Sequence, residues 1–211
     1  VTPEELAAKH PLLYHVTEPA NWDGIQNHGL LSTSRLLSLF EYSEADRVAF
    51  ERRRRPESVP LPPHPVHGKA IINDNSPLSD EALMNCLDDE LAPADWYAML
   101  NRRVFFWVDK DRRDRFRQAR AHQGRDRLVL EFDTLSVARQ YGEQMELSPI
   151  NSGSGGRPPA RRGLSTFTPL LDYDYATWRR LRRQAKVKTS LDHIVEVTVV
   201  GGIEDITDHL V

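Results

Sequence analysis

Residues 12–32 read Leu12-Leu-Tyr-His-Val-Thr-Glu-Pro-Ala-Asn-Trp-Asp-Gly-Ile-Gln-Asn-His-Gly-Leu-Leu-Ser32. The opening is apolar and rich in residues that suit a pleated, half-buried surface, so residues 12–16 are expected to form a strand. Thr17 is the expected cap of a following helix. Pro19 stands near that helix's start, where its fixed φ is pre-set and its missing N–H is not needed. Trp22 and Ile25 lie three apart and can share a buried face. Gly29 ends the helix, and Leu30 to Ser32 returns as a short extended piece.

Other elements follow outward from this unit. Helical patterns cover residues 4–9, 35–40, 44–55, 80–90, 94–100, 111–122 and 175–185. Strands are expected at 69–72, 104–108, 127–133, 146–147 and 193–200. Within 127–133, Leu128, Leu130 and Phe132 point one way while Val129 and Glu131 point the other. Strands thus stand at the beginning, middle and end, with helices between them in irregular order. This pattern predicts an α+β fold with a mixed or largely antiparallel sheet rather than alternating βαβ units. No Gly-x-Gly-x-x-Gly or Walker phosphate loop occurs, so Rossmann and P-loop architectures lose support.

The chain has 211 residues, enough for one domain with its own core. A content of 39% hydrophobic and 28% charged residues argues against wholesale disorder. No apolar run approaches the ~20 residues of a membrane-spanning helix. The first residues, Val1-Thr2-Pro3-Glu4-Glu5, do not read as a secretion signal. One cysteine, Cys86, excludes an internal disulfide and a Cys-rich zinc site, so the cytoplasm is the expected compartment. Two stretches read as long loops inside a single domain. One, 55–68, carries Pro56, Pro60, Pro62, Pro63 and Pro65. The other, 151–163, is rich in Gly, Ser, Pro and Arg.

Charge is segregated although 28 basic against 31 acidic residues leave a net charge of only -3. Residues 73–99 and 192–211 contain acids and no Lys or Arg. The bases, nearly all Arg, gather at 52–55, 102–127 and 157–188. Arg179, Arg182 and Arg183 fall on neighbouring parts of one expected helix. A solvated basic face accounts for them; contact with nucleic-acid phosphate is the sharper account.

The residues Tyr14, His15, Thr17, Asn21, Gly29 and Leu30 give the chain a resemblance to the ADP-ribosyltransferase superfamily, and most closely to its DarT-like branch. The first motif of that branch reads Tyr-His-x-Thr, then Asn, then Gly-Leu. The last strand strengthens the likeness: His193-Ile-Val-Glu-Val-Thr-Val-Val200 carries Glu196 within an apolar run. The resemblance implies a split β core and NAD as co-substrate. It also implies that His15 and its neighbours Tyr14, Thr17 and Asn21 hold the ribose and nicotinamide, with Glu196 as the catalytic carboxylate. The whole chain also resembles an uncharacterised bacterial family, through Leu100-Asn-Arg-Arg-Val-Phe-Phe-Trp107, Leu147-Ser-Pro-Ile-Asn-Ser-Gly-Ser154 and Arg162-Gly-Leu-Ser-Thr-Phe167.

The chemistry fits these residue types. Departure of nicotinamide makes the ribose anomeric carbon oxocarbenium-like, and a carboxylate on the ribose hydroxyl stabilises the developing charge. The nicotinamide ring needs an aromatic surface, for which Tyr14, Phe106 and Trp107 are candidates. The diphosphate needs donors, for which Arg35, Arg102 and Arg103 are candidates. The DarT-like resemblance and the Arg faces make a nucleic-acid base the expected acceptor. A neutralising partner protein is a further expectation of that kind.

Competing readings attach to several of these residues. Glu196 also fits an exposed strand face paired with a neighbouring Arg. Ser32-Thr33-Ser34 resembles the motif of the Arg-Ser-Glu transferase class, but the first strand carries His15 where that class has Arg. A loop leading to a helix cap at Ser34 explains it better. His64-Pro-Val-His67 has metal-ligand spacing without a third ligand nearby, so no metal is expected. Residues 151–154 with Arg157, Arg161 and Arg162 read as a lid or substrate-binding loop, or else as a mobile surface loop. At the level of the whole chain, the alternative is a catalytically degenerate nucleotide- or nucleic-acid-binding module. A third reading is a partner-binding protein that works through its segregated charge.

Overall fold

A computed structural model describes residues 1–75, 77–111, 114, 126–154, 159–174, 176 and 194–211. The α+β class expected from the sequence is what it shows, built around one antiparallel sheet. Helix α1 (Pro3–Lys9) opens the chain with a reciprocal cap, in which the Thr2 hydroxyl accepts from Glu5 N–H and the Glu5 carboxylate accepts from Thr2 N–H. Strand β1 (Leu12–Thr17) follows, then a 3₁₀ turn (Pro19–Asn21), α2 (Trp22–His28) and β2 (Leu30–Leu31). Thr17 is therefore not the helix cap expected of it. It ends the strand, is buried, and accepts from the Asn21 side-chain amide at 3.0 Å.

Next come α3 (Thr33–Leu39), α4 (Glu44–Glu51), the paired β3 (Val59–Pro60) and β4 (Ile71–Ile72), α5 (Asp80–Met84), α6 (Pro93–Asn101) and β5 (Arg103–Trp107). The cap of α3 is Ser32, whose hydroxyl accepts from Arg35 N–H; Ser34 instead donates to the Asn101 carbonyl. α4 ends at Glu51, with Arg52 as its C-cap, short of the expected residue 55; Pro56 disfavours a helical conformation at Arg55 itself. α5 stops at Met84 because Asp89 and Glu90 turn at positive φ, and the chain around Cys86 to Asp88 pairs with Arg162.

Strand β6 (Leu128–Asp133) is followed at once by α7 (Thr134–Tyr141), then β7 (Met145–Ser148), β8 (Thr168–Pro169), β9 (Glu196–Val200) and β10 (Gly202–Ile203). The sequence reading missed α7. Its cap is Asp133, which accepts from Ser136 N–H at 2.7 Å. The expected helices 111–122 and 175–185 lie almost wholly outside the described residues, as do Arg157, Arg179, Arg182, Arg183 and His193. No described helix is long and apolar enough to cross a membrane.

The main sheet runs β6-β1-β5-β9-β7-β8. One row crosses it, with Glu131 facing Tyr14, Tyr14 facing Trp107, Trp107 facing Glu196 and Glu196 facing Ser148. The first and last long strands are thus separated by β5 alone. Alternation sends Val104 and Phe106 into the main core, with Leu13, Leu130, Phe132, Val197 and Val199. Phe105 goes to the other face and packs on a second cluster around Trp96, Tyr97 and Phe167. A third cluster, including Leu37, Phe40, Phe50 and Ile72, joins α3 and α4 to the β3–β4 pair.

β1 and β5 share only one registered pair, Tyr14 with Trp107. Beyond it the backbone ladder is replaced by a side chain: the His15 ring bonds the Phe105 carbonyl. The sheet is therefore open along this seam, and the cleft described next lies there.

Candidate functional site

The cleft has a volume of about 290 Å³, at the lower end of small-molecule pockets. The open seam supplies one wall, through His15 to Thr17 and Val104 to Trp107. The 3₁₀ turn with α2 and the segment 69–75 line the cleft as well, as do Asn151 to Gly153 and Glu196. His15 and Glu196 thus line one cleft although they lie on the first and last long strands. Strand alternation assigns them to opposite faces. The His15 ring is nonetheless among the cleft-lining groups and stands 5.9 Å from Phe106, centroid to centroid.

The state of His15 follows from its partners. Its Nδ1 lies 2.9 Å from the Phe105 carbonyl. A carbonyl oxygen only accepts, so Nδ1 carries the proton. Burial holds the imidazole below its ordinary pKa, and the Phe105 carbonyl opposes that shift without overturning it. The ring is then neutral at neutral pH, and Nε2 presents a lone pair.

Glu196 is not on an exposed face, contrary to the competing account of it. It is only 4% exposed. Its Oε2 accepts from the Ser152 backbone N–H at 3.1 Å and from the Ser152 hydroxyl at 2.7 Å. Ser152 is itself held from behind. Its carbonyl accepts from Arg162 Nη1 at 2.9 Å, and more weakly from the Trp96 indole N–H at 3.4 Å. Arg162 is 2% exposed and also donates to the Ser154 and Ala160 carbonyls. Desolvation lowers its pKa, and the nearby Cys86 and Glu196 oppose that shift. Residues 151–154 therefore do not form a loose surface loop. They are a clamp on Glu196, anchored by a buried arginine.

The remaining expected residues divide clearly. Trp107 lines the cleft, is half-buried, and faces Glu196 across the ladder. Phe106 lines it too, but its ring is buried and packs edge-on against Phe132. Tyr14 sits in the row with Trp107 but is not among the cleft-lining residues. Asn21 and Thr17 line the cleft with their polar atoms engaged. The Asn21 amide donates to Thr17 and to the Ile71 carbonyl, and its oxygen accepts from Ile71 N–H. Asn21 thus ties β4 to the turn that follows β1.

Of the arginines expected to meet a diphosphate, Arg35 lies outside the cleft-lining residues and pairs with Glu204 on the surface. Arg102 lies outside them as well. Arg103 lines the cleft, but its guanidinium forks onto Glu146 at 2.6 and 3.0 Å, donates to the Met99 carbonyl, and stacks over Phe167 at 4.2 Å. Ser152 and Arg162 were read only as part of a lid or substrate-binding loop, without the role of holding Glu196, and Arg55 was not read as a site residue at all. No sequence signal distinguished Arg55 from the solvated arginines beside it.

His64 and His67 stack at 4.6 Å, and His28 meets His67 edge-on at 4.9 Å. Even so, among the described residues no group of three or more His, Cys, Asp or Glu is placed to hold a metal ion. The His64 Nδ1 is taken by the Val66 and His67 N–H groups.

Residues 11–210 match the model of a family of unknown function, DUF7002. The chain belongs to this family. No curated protein and no solved structure matches it. The chemistry of this DUF7002 chain must therefore be argued from its own cleft.

Proposed function

We propose that the chain is an NAD-dependent ADP-ribosyltransferase. The observation that carries this reading is the meeting of His15, Trp107 and Glu196 in the walls of one cleft at an open seam of the sheet. In this reading the nicotinamide ring stacks on Trp107, the half-buried aromatic beside Glu196. A ribose hydroxyl donates to the lone pair of His15 Nε2. NAD supplies a bond between the anomeric carbon and nicotinamide that breaks with build-up of positive charge on the sugar. Glu196 supplies a fixed negative charge in a largely desolvated setting, where such stabilisation is strongest. Nicotinamide leaves with the bonding electron pair, and the acceptor bonds to the anomeric carbon and releases a proton. The donor set fits NAD at the ribose and nicotinamide. The acceptor we favour is a nucleic-acid base, in a cytoplasmic setting that agrees with a single buried cysteine.

One feature favours a second reading, binding without transfer: Glu196 Oε2 is already satisfied by Ser152. Activity separates the two. The protein is incubated with labelled NAD and single-stranded DNA, RNA or cell lysate, alongside the Glu196→Gln variant. Transfer or nicotinamide release that falls by about 10²–10³-fold in the variant supports the transferase. Absence of both from the wild type, or equal rates in both proteins, rejects it.

A further inference from the structure

Arg55 is 7% exposed and lies in the wall of the cleft. Its Nε donates to the Asn73 carbonyl at 3.3 Å, and its backbone N–H to the Asn75 side-chain oxygen. Its Nη1 is sealed from water and has no partner among the described residues. A buried guanidinium donor without an acceptor is unfavourable, and such groups in native folds call for an explanation. Arg127 also has nitrogens without a hydrogen bond among the described residues, but it is held by Glu18 and does not line the cleft.

We propose that Arg55 is the anion-binding residue of the cleft and that its guanidinium, turned out of this sealed position, takes a phosphate oxygen of a nucleoside diphosphate. The assignment rests on the reading of the cleft as a dinucleotide site and names the residue that the diphosphate meets. Three observations support it independently of that reading. The first is chemical: arginine's planar fork matches phosphate oxygens, and a phosphate provides the strong acceptor that Nη1 lacks. The second is local charge. Desolvation, then the positive charge of Arg53, lowers the Arg55 pKa to about 10, while Asp74 and Glu51 oppose this. The side chain remains a cation at neutral pH. Asp74, which also lines the cleft, lies 3.8 Å from Arg127 Nη2 and offsets part of the local positive charge. It leaves Nη1 without a hydrogen-bond partner among the described residues. The third is elimination among the described residues: there the other cleft-lining arginine, Arg103, is committed to Glu146, and the remaining cation, Lys69, is exposed.

The test measures binding of ADP-ribose, inorganic pyrophosphate and adenosine to the wild type, Arg55→Gln and Arg55→Lys, by calorimetry and by ligand-induced rise in melting temperature. The expected result is a loss of ADP-ribose affinity of about tenfold or more in Arg55→Gln and a smaller loss in Arg55→Lys, with adenosine affinity unchanged. Unliganded Arg55→Gln should melt close to the wild type, because the orphaned donor is removed. If Arg55→Gln does not fold, Arg55→Lys carries the comparison through its own loss of affinity. Equal ADP-ribose affinity in wild type and variants overturns the assignment and leaves the dinucleotide reading standing. Pyrophosphate binding that requires Arg55, in a protein that binds neither NAD nor ADP-ribose, upholds Arg55 and overturns the dinucleotide reading. A wild type that binds no phosphate-bearing probe overturns both.

Discussion

Ser152 shows how a loop residue shapes a strand residue. It gives two hydrogen bonds to one oxygen of Glu196, in a place almost sealed from water. Ser152→Ala removes the hydroxyl donor and keeps the backbone one. The expected result is a fall of about tenfold in kcat with little change in KM for NAD, since the Ser152 hydroxyl is already given to the Glu196 carboxylate. Stability should drop by about 1.5–3 kcal/mol, the usual range for a hydrogen bond to a charged group, as read by urea denaturation. A larger effect on KM than on kcat would contradict this role.

His15 makes a separate prediction about pH. Its folded pKa lies below the ordinary value of 6.5 because of desolvation. Above about pH 6.5 the folded and unfolded chains both carry the neutral ring. Below it the unfolded chain takes up the proton first, so stability falls as pH drops toward the folded value. His67 acts in the same direction, through desolvation and then the charges of His64 and His28. His15→Gln should therefore flatten part of the acid limb in denaturation measured between pH 7.5 and 5. An unchanged slope would show that the ring is not held neutral by the fold. His15 and Glu196 were legible in the sequence because they stand in recognisable strands. Arg35 and Arg103 were plausible diphosphate donors only until their carboxylate partners, 169 and 43 residues away, were known. Charge can be read from a sequence; which charges are already paired cannot.

Among the elements, the strands were the most legible. Apolar, β-branched and aromatic runs marked β1, β5, β6 and β9, with ends shifted by a residue or a few. Helix α7 was not legible, because it follows β6 without a turn. Its signal was Asp133 three residues before Ser136, followed by the buried Thr134, Val137 and Ala138. Asp133→Ala should cost about 1 kcal/mol in thermal or chemical denaturation, and an unchanged midpoint would remove Asp133 as the cap. Gly29 makes a stronger element-level claim. It has φ +81°, and a Cβ there would stand 2.4 Å from the Ile203 carbonyl oxygen. It permits the close approach of β2 to β10. Gly29→Ala should destabilise by about 2 kcal/mol or more, combining backbone strain with a steric clash. The residue 151–163 stretch misled for the opposite reason. Its Gly, Ser and Pro content resembles a mobile loop, yet Arg162 buries itself and fixes Ser152 to Ser154 by their carbonyls.

For the whole molecule, an antiparallel sheet brings two distant segments to either side of β5, and the loss of pairing between β1 and β5 leaves a cleft between them. The α+β class was legible from element order. The seam was not, because it depends on a single side-chain bond, His15 to Phe105, displacing a backbone ladder. Cleft position, a neutral imidazole and a clamped carboxylate together make dinucleotide chemistry the economical reading. Its most direct test is calorimetric titration of NAD into the wild type, His15→Ala and Glu196→Gln. The account predicts binding to the wild type, affinity weakened by about tenfold, or about 1.4 kcal/mol, in His15→Ala, and retained binding in Glu196→Gln. A wild type that gives no binding heat with NAD, or a His15→Ala variant of unchanged affinity, would contradict it.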